Sequence, residues 1–149
     1  MIRTPPFDWL AIDWRTVVPQ TAANWIAVLP LAATEQHGPH LPLTTDVLIA
    51  EAYLARVREW LPQETPATFL PVQPVGISTE HMDFPGTRTL SNEAALKAWT
   101  SLGGEVARRG IRKIVMVSSH GGNSAAMTMV AQDLRARHRM LAVTTAWAR

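Results

Sequence analysis

The sequence of 149 residues contains no cysteine. Disulfide bonds, thiolate zinc sites and a cysteine nucleophile are therefore excluded. No apolar run reaches the ~18 residues that a membrane-spanning helix needs, so no membrane span is expected. Residues 1–6 also lack the apolar segment of a secretory signal peptide. Together these absences favour a cytoplasmic protein.

An excess of charge of one sign is also missing, because the formal net charge is only +2 at pH 7. The one basic cluster falls at the end of a predicted helix and consists of Arg135, Arg137, His138 and Arg139. Cations at that position complement the helix dipole, so a solvated helix end explains the cluster better than nucleic-acid binding does. We expect neither nucleic acid nor a membrane among the partners of this protein.

The distribution of apolar residues predicts an α/β fold. Hydrophobic residues make up 47% of the sequence, and the length fits one domain over residues 1–149. Periodicity predicts strands over residues 24–32, 67–75, 113–118 and 140–147, helices over 46–60, 92–109 and 123–137, and a loop over 76–90. The strand over 67–75 is expected to be short and irregular or at an edge of the sheet, because Pro71 and Pro74 break it. The alternation of strands with helices indicates parallel β-α-β units with helices on both faces of the sheet.

Side chains that can bind metal are concentrated just after the first predicted strand. Glu35 and His37 are two positions apart, so on extended backbone they point to the same side. Asp46 follows at the head of a predicted helix. Two carboxylates with an imidazole suit Zn²⁺ or Mn²⁺ better than Ca²⁺, which prefers oxygen ligands alone. Each residue alone is compatible with an ordinary strand end or loop, but together they predict a metal site.

A second group follows the predicted strand over residues 113–118. His120 comes first, and Gly121, Gly122 and Asn123 then lead into a helix whose free N–H groups can hold an oxyanion or carboxylate. Ligands bind outside the carboxyl ends of strands in open parallel sheets, so His120 would converge with Glu35 and His37 if the two strands are neighbours. We therefore predict His120 as a further metal ligand and the three residues after it as substrate-binding.

The predicted loop over residues 76–90 is polar and rich in turn-forming residues. Ser78, Glu80 and His81 are predicted to line the substrate pocket, with Glu80 and His81 as candidates for proton transfer. The alternative is a structured turn around Pro85-Gly86. A serine hydrolase is disfavoured, because the sequence has no GxSxG elbow.

Three segments of the sequence closely resemble the creatininase (creatinine amidohydrolase-like) family. They are Glu35–Pro42 with Thr45-Asp46, Ser78–Thr87, and Ser119–Asn123. The resemblance implies a three-layer α/β/α sandwich with a mostly parallel sheet and a homo-oligomer, often hexameric. It also implies an amidohydrolase that cleaves a C–N bond in a small cyclic amide, formamide or short peptide.

The resemblance further implies a centre of two divalent cations, usually zinc with manganese or iron. Carried over by position, Glu35 and His120 hold one cation, His37 holds the other, and Asp46 bridges the two. Gly122 stands where creatininase itself has a metal-binding glutamate. The His-Gly-Gly-Asn form resembles instead the deformylase-like branches and the peptidase that trims the mycofactocin precursor, so creatinine is not expected as the substrate.

The resemblance also implies a longer protein, because a later His-Ala-Gly…Glu-Thr-like segment completes the family site. We expect the C-terminal part of the domain to be missing from this chain. The leading hypothesis is a metal-dependent amidohydrolase that uses a metal-activated water and a small-molecule amide substrate. The alternative is a catalytically incomplete metal-binding or subunit-forming fragment. A metal-dependent phosphate or ester hydrolase is a third hypothesis, disfavoured because no basic cradle adjoins the metal motif.

Overall fold

The computed structural model describes residues 4–147 and begins with a segment in which the sequence predicted no regular element. Two 3-10 turns, Trp9–Ala11 and Trp14–Thr16, are followed by the short helix α1 (Pro19–Ala22). Trp14 packs against Trp9 and Trp25, with ring centroids 4.7 and 6.2 Å apart. This aromatic cluster forms one end of the main core.

The remaining elements agree with the sequence predictions to within a few residues, with one exception. They are β1 (Ile26–Leu31), α2 (Thr45–Trp60), β2 (Ala67–Phe69), α3 (Asn92–Arg108), β3 (Lys113–Ser118), α4 (Ser124–His138) and β4 (Leu141–Ala146). The exception is β2, for which the predicted range of 67–75 was too long, although its predicted interruption by prolines and its place at an edge of the sheet agree with the structure. It ends at Phe69 because Pro71 and Pro74 have no N–H to donate. Beyond it, only an isolated bridge joins Gln73 to Leu31.

The four strands form one parallel sheet in the order β2-β1-β3-β4. The chain moves outward from β1 to β2, then crosses back to β3 on the other side of β1. The connections after β1 and β3 therefore diverge from two adjacent strands. This leaves a crevice at their carboxyl ends, which is where open α/β sheets bind ligands.

Helices cover both faces of the sheet, which confirms the predicted α/β/α layering. One face packs against α2, where Leu54 and Val57 contact a cluster that includes Val28 and Val117. The other face packs against α3 and α4 and forms the main core. Period-2 alternation along the strands assigns neighbouring residues to opposite faces, so both faces of the central strands are apolar.

Two features of the surface concern possible partners. Among the described residues, 4–147, no helix has both the length and the apolar character needed to cross a bilayer. The outer strand β4 exposes apolar side chains, with Leu141 62% and Val143 42% accessible to solvent. Alternate positions, such as Ala142, are buried in the main core, so the exposed residues lie on the same side of the sheet as α2.

Candidate metal centre

The divergence between β1 and β3 brings together the four residues predicted as metal ligands. Glu35 and His37 follow β1, His120 follows β3, and Asp46 lies in the first turn of α2. The backbone N–H of Glu35 donates to the carbonyl of Leu43 at 2.9 Å, which closes the loop that returns Asp46 to the end of β1. Parallel pairing of β1 with β3 places the two strand ends side by side.

The ligand-type atoms of these residues are close to one another. Nδ1 of His120 lies 3.2 Å from Oε1 of Glu35 and 3.3 Å from Oδ2 of Asp46. Nε2 of His37 lies 3.4 Å from Oδ1 of Asp46. Glu35, Asp46 and His120 are 5%, 4% and 8% exposed. Asp46 thus has one oxygen facing each histidine, the arrangement required of a residue shared between two cations.

Hydrogen bonds to backbone carbonyls determine which nitrogen of each histidine faces the carboxylates. Nε2 of His120 lies 2.7 Å from the carbonyl of Ile77, and Nδ1 of His37 lies 3.1 Å from the carbonyl of Glu35. A carbonyl only accepts, so these nitrogens carry the proton in the neutral rings. The other nitrogen of each ring then presents its lone pair to the carboxylates, as metal-ligating histidines do.

Two carboxylate oxygens at the centre are buried without a partner. Oε2 of Glu35 and Oδ2 of Asp46 have no hydrogen bond of good geometry from any residue in the described range 4–147, although Oδ2 lies 3.3 Å from the ring of His120. Burying an unpaired charge is costly. A divalent cation would satisfy these oxygens and the histidine lone pairs at once. The mixed nitrogen and oxygen donors suit zinc or manganese.

The acidity of His120 reflects the negative surroundings. Burial by itself lowers the pKa of His120, but it is outweighed by the close approach of the Asp46 carboxylate to the ring, by the hydrogen bond to the carbonyl of Ile77 and by the charges of Glu35 and Asp46, which together raise the pKa above its ordinary value. In the metal-free protein, the site therefore favours a proton on the nitrogen that would bind metal.

We expect metal and protons to compete for His120. Affinity for Zn²⁺ should fall by about tenfold per pH unit below the raised pKa, because each bound cation displaces a proton. In the metal-free protein, the charged histidine contributes stability that is fully present below its unfolded pKa of about 6.5 and is lost as the pH rises through the raised value. Chelator competition from about pH 5 to 8 measures the first effect, and thermal unfolding of metal-free protein measures the second. A zinc affinity independent of pH would contradict this role for His120.

The residues predicted in the loop over 76–90 occupy different environments. Ser78 is buried, and its hydroxyl has no partner among the described residues. Glu80 is exposed in the 3-10 turn Thr79–His81. Nε2 of His81 lies 3.9 Å from Oε2 of Glu35. Glu35, Glu80 and His81 form a second group, with ligand-type atoms all within 4.8 Å of one another. The predicted roles in substrate binding and proton transfer stay predictions.

The residues after His120 have structural tasks that the sequence did not indicate. Asn123 is 0% exposed. Its amide donates to the carbonyl of Ala32 at 3.1 Å and to the hydroxyl of Ser118 at 3.2 Å, and it accepts from the N–H of Ile77 at 3.0 Å. It therefore joins the ends of β1 and β3 to the loop over 76–90. The substrate-binding role predicted for Asn123 is not visible in these contacts and stays a prediction.

Gly122 is required beside the His120 ring. A Cβ at this position would lie 2.5 Å from Nε2 of His120 and would collide with the carbonyl of Ile77. Glycine thus permits the hydrogen bond that orients the ring. Gly121 has open space where a Cβ would be and lines a cleft of about 270 Å³ beside His120. Substrate binding by Gly121 and Gly122 stays a prediction.

Three supporting residues were missed by sequence reasoning. Ile77 orients His120 through its carbonyl, and Gln36 contacts His81. The hydroxyl of Ser119 donates to the backbone carbonyl of Asp46 at 2.7 Å. Ser119 and Gln36 had a signal, since Ser119 directly precedes His120 at a strand end and Gln36 lies between Glu35 and His37. The contact of Ile77 could not be predicted, because it is made by a backbone carbonyl, which every residue type has.

Comparisons with a family model, with sequence relatives and with solved structures agree on the family and on the fold. Residues 11–149 match the family model described as Creatininase: Creatinine amidohydrolase. The mycofactocin precursor peptide peptidase of Mycolicibacterium smegmatis is 39% identical over 112 residues, covering 74% of this chain and 45% of that protein. A crystal structure of creatinine amidohydrolase (creatininase) superposes with a TM-score of 0.76 at 26% identity, covering 94% of this chain and 57% of that one.

A further solved structure, named Creatininase Mn, has a TM-score of 0.75 at 24% identity and covers 97% of this chain and 58% of that one. This likeness supports the fold. The chain spans about half the length of the relatives it matches.

Proposed function

The chain belongs to the creatininase family, and on this premise we propose that it is a metal-dependent amidohydrolase. The observation that carries the proposal is the convergence of two histidine lone pairs on two buried carboxylates whose free oxygens lack partners. Such an arrangement is electrostatically unfavourable without a cation and well suited to one. Membership of a family of amidohydrolases supports the reaction class.

The donors would divide between two sites. Glu35, Asp46 and His120 are mutually close and buried, and they would hold one cation. His37 and the other oxygen of Asp46 would contribute to the second, for which Gly122 supplies no side chain. Divalent cations held there would acidify a water and polarise an amide carbonyl. Zinc and manganese both fit the donors, and iron is the third candidate.

The chain's own residues prepare the centre for this chemistry. Backbone carbonyls of Ile77 and Glu35 keep both histidines in the ligating tautomer, and Ser119 anchors the backbone at Asp46. The N–H groups at Gly121 and Gly122 would stabilise negative charge on the substrate oxygen. These groups are in place before substrate arrives, which lowers the cost of reorganisation.

We propose a short peptide as the substrate class. The loops around the centre expose apolar side chains, namely Leu41, Leu43, Met82 and Phe84. Glu35 and Leu43 are hydrogen-bonded, and Leu43 contacts Gly86, so these loops meet beside the metal ligands. An apolar rim suits an amide flanked by side chains better than a small polar ring. The 39%-identical relative named as a peptide peptidase supports the same choice.

The proposal is tested by metal content and hydrolysis of the purified protein. We expect zinc or manganese to bind stoichiometrically and short peptides to be cleaved faster than N-formyl compounds or small cyclic amides. A strong chelator should abolish cleavage, and Zn²⁺ or Mn²⁺ should restore it. The measurements are elemental analysis and mass-spectrometric detection of both products. Cleavage that continues in the metal-stripped protein would contradict the proposal.

A second candidate function is a metal-binding subunit that requires a further polypeptide for catalysis. The apolar side chains exposed on β4, Leu141 and Val143, favour this candidate because uncovered apolar surface on an edge strand is suited to association. Stoichiometric metal without hydrolysis of any compound in the same panel would support it. Sedimentation of that sample would show whether the chain forms the homo-oligomer expected of the family.

A further inference from the structure

Gln36 lies between Glu35 and His37 in sequence, but its side chain is hydrogen-bonded elsewhere. Its Oε1 accepts from the backbone N–H of Gly38 at 3.0 Å, and its Nε2 lies 3.1 Å from Nδ1 of His81. A backbone N–H can only donate, so the first contact establishes which end of the amide is oxygen. The amide N–H of Gln36 therefore donates to His81.

A ring nitrogen that accepts a hydrogen bond carries no proton, so His81 in this contact is neutral and protonated on Nε2. That nitrogen faces the centre, 3.9 Å from Oε2 of Glu35. The ring also meets Phe84 edge-on at 5.9 Å between centroids, and the backbone of the residue is fixed by its own N–H, which donates to the carbonyl of Ser78 at 3.0 Å. The imidazole is thus held from several sides with its N–H directed toward the centre.

The same contact argues against His81 as a metal ligand. Glu35, Glu80 and His81 are close enough to hold a cation together. A metal-ligating histidine, however, donates its second N–H to an oxygen acceptor, as the two candidate ligand histidines above do. His81 instead receives a donor at Nδ1 from Gln36. Its Nε2 is then the protonated nitrogen and has no lone pair for a cation.

We propose that Gln36 is a positioning residue that keeps His81 as a neutral hydrogen-bond donor to the oxygen of the scissile amide. The inference rests on the proposed amidohydrolase function for its substrate. A neutral imidazole is a poor acid but a good donor to developing negative charge. His81 would therefore stabilise charge on the oxygen rather than protonate the leaving nitrogen. Glu80 is then the remaining candidate for proton transfer, since His81 acts as a hydrogen-bond donor.

The decisive variant is Gln36→Glu. It keeps the side-chain shape and an acceptor for the N–H of Gly38, but it replaces the donor facing His81 with a second acceptor. We expect the proton of His81 to move from Nε2 to Nδ1. The measurement is ¹⁵N NMR of the neutral imidazoles in metal-free protein, which distinguishes a protonated ring nitrogen from an unprotonated one. The exposed residue Gln20, in α1 at the far end of β1, provides the matched control Gln20→Glu, which should leave the tautomer unchanged.

Activity provides a second readout. With the best-cleaved peptide of the panel, Gln36→Glu should lower kcat about 100-fold with little change in KM, the effect of losing one donor to a developing oxyanion. Stoichiometric Zn²⁺ binding should be retained, because Gln36 contributes no ligand atom. Elemental analysis of the variant therefore separates loss of the donor from loss of the cations.

Several outcomes would overturn the inference. Wild-type protein with the His81 proton on Nδ1 would do so without any variant, and so would a Gln36→Glu protein that keeps the proton on Nε2. A zinc-induced shift of the Nε2 resonance to that of a metal-bound nitrogen would make His81 a ligand instead. The metal-free NMR result does not depend on hydrolysis, so failure of the proposed function would be recognised separately, by the absence of metal binding or cleavage.

Discussion

Replacing Asp46 with asparagine is expected to abolish metal binding and hydrolysis. Each carboxylate oxygen of Asp46 faces a different histidine, and the residue is buried at the head of α2. Asparagine keeps the size but removes the charge and one oxygen ligand. The loss of metal affinity should exceed the ~10- to 100-fold that follows from disturbing an outer hydrogen bond to a metal ligand. Elemental analysis after dialysis measures the metal content.

The same variant should leave the metal-free protein folded. Removing one of two neighbouring buried carboxylates relieves repulsion with Glu35 at neutral pH, so thermal unfolding without metal should occur near the wild-type temperature. The stabilisation that wild-type protein gains from added Zn²⁺ should be absent. Asp133→Asn is the matched control, since Asp133 pairs with Arg137 on the surface of α4. Stoichiometric metal retained by Asp46→Asn would exclude Asp46 as a shared ligand.

Replacing Asn123 with alanine should produce the largest loss of stability among single substitutions near the centre. The side chain makes three internal hydrogen bonds at 3.0–3.2 Å and is fully buried. Alanine would leave the carbonyl of Ala32 and the N–H of Ile77 without these partners. Each orphaned buried group costs about 1–3 kcal/mol, so we expect a loss of about 3–5 kcal/mol. For a chain of this length, that lowers the melting temperature by about 10 °C.

The consequence of Asn123→Ala for metal binding follows from Ile77. The backbone N–H of Ile77 donates to the side chain of Asn123, and the backbone carbonyl of Ile77 orients the ring of His120. Loosening Ile77 should weaken zinc binding by about tenfold or more, as loss of an outer partner does at other metal sites. Asn24→Ala is the matched control, because the exposed side chain of Asn24 donates a weak bond of 3.4 Å to the carbonyl of Gln20. An unfolding free energy within about 1 kcal/mol of wild type would refute the role given to Asn123.

Most regular elements could be predicted because their signals are local. The fully apolar run before Ser118 identifies β3, and Ser91 caps α3 by accepting the N–H of Ala94 at 3.1 Å. The range predicted for β2 was too long, but Pro71 and Pro74 correctly indicated a short strand at an edge of the sheet, since proline cannot donate to a sheet. The prediction also omitted α1 and the turns before it, because elements of three or four residues leave almost no periodicity.

The candidate site could also be predicted in part from the sequence. The residue types of the four candidate ligands, and their places after β1 and β3 or at the head of α2, follow from the order of residues along the chain. Their convergence was predicted conditionally, on the assumption that the two strands are neighbours. That assumption concerns contacts between distant segments, and the observed pairing of β1 with β3 satisfies it.

Sequence alone was sufficient for the layered architecture and for the choice of candidate ligands, because hydrophobic periodicity and donor chemistry depend on residue types. The family followed from the resemblance of three segments to the creatininase family. The three-dimensional arrangement decided how those donors are presented. The tautomer of His120 depends on the carbonyl of Ile77, that of His81 depends on the amide of Gln36, and the loop register depends on Asn123. Hydrogen bonds of this kind join segments far apart in the chain and often use backbone atoms that every residue shares, so only folding determines which of them form.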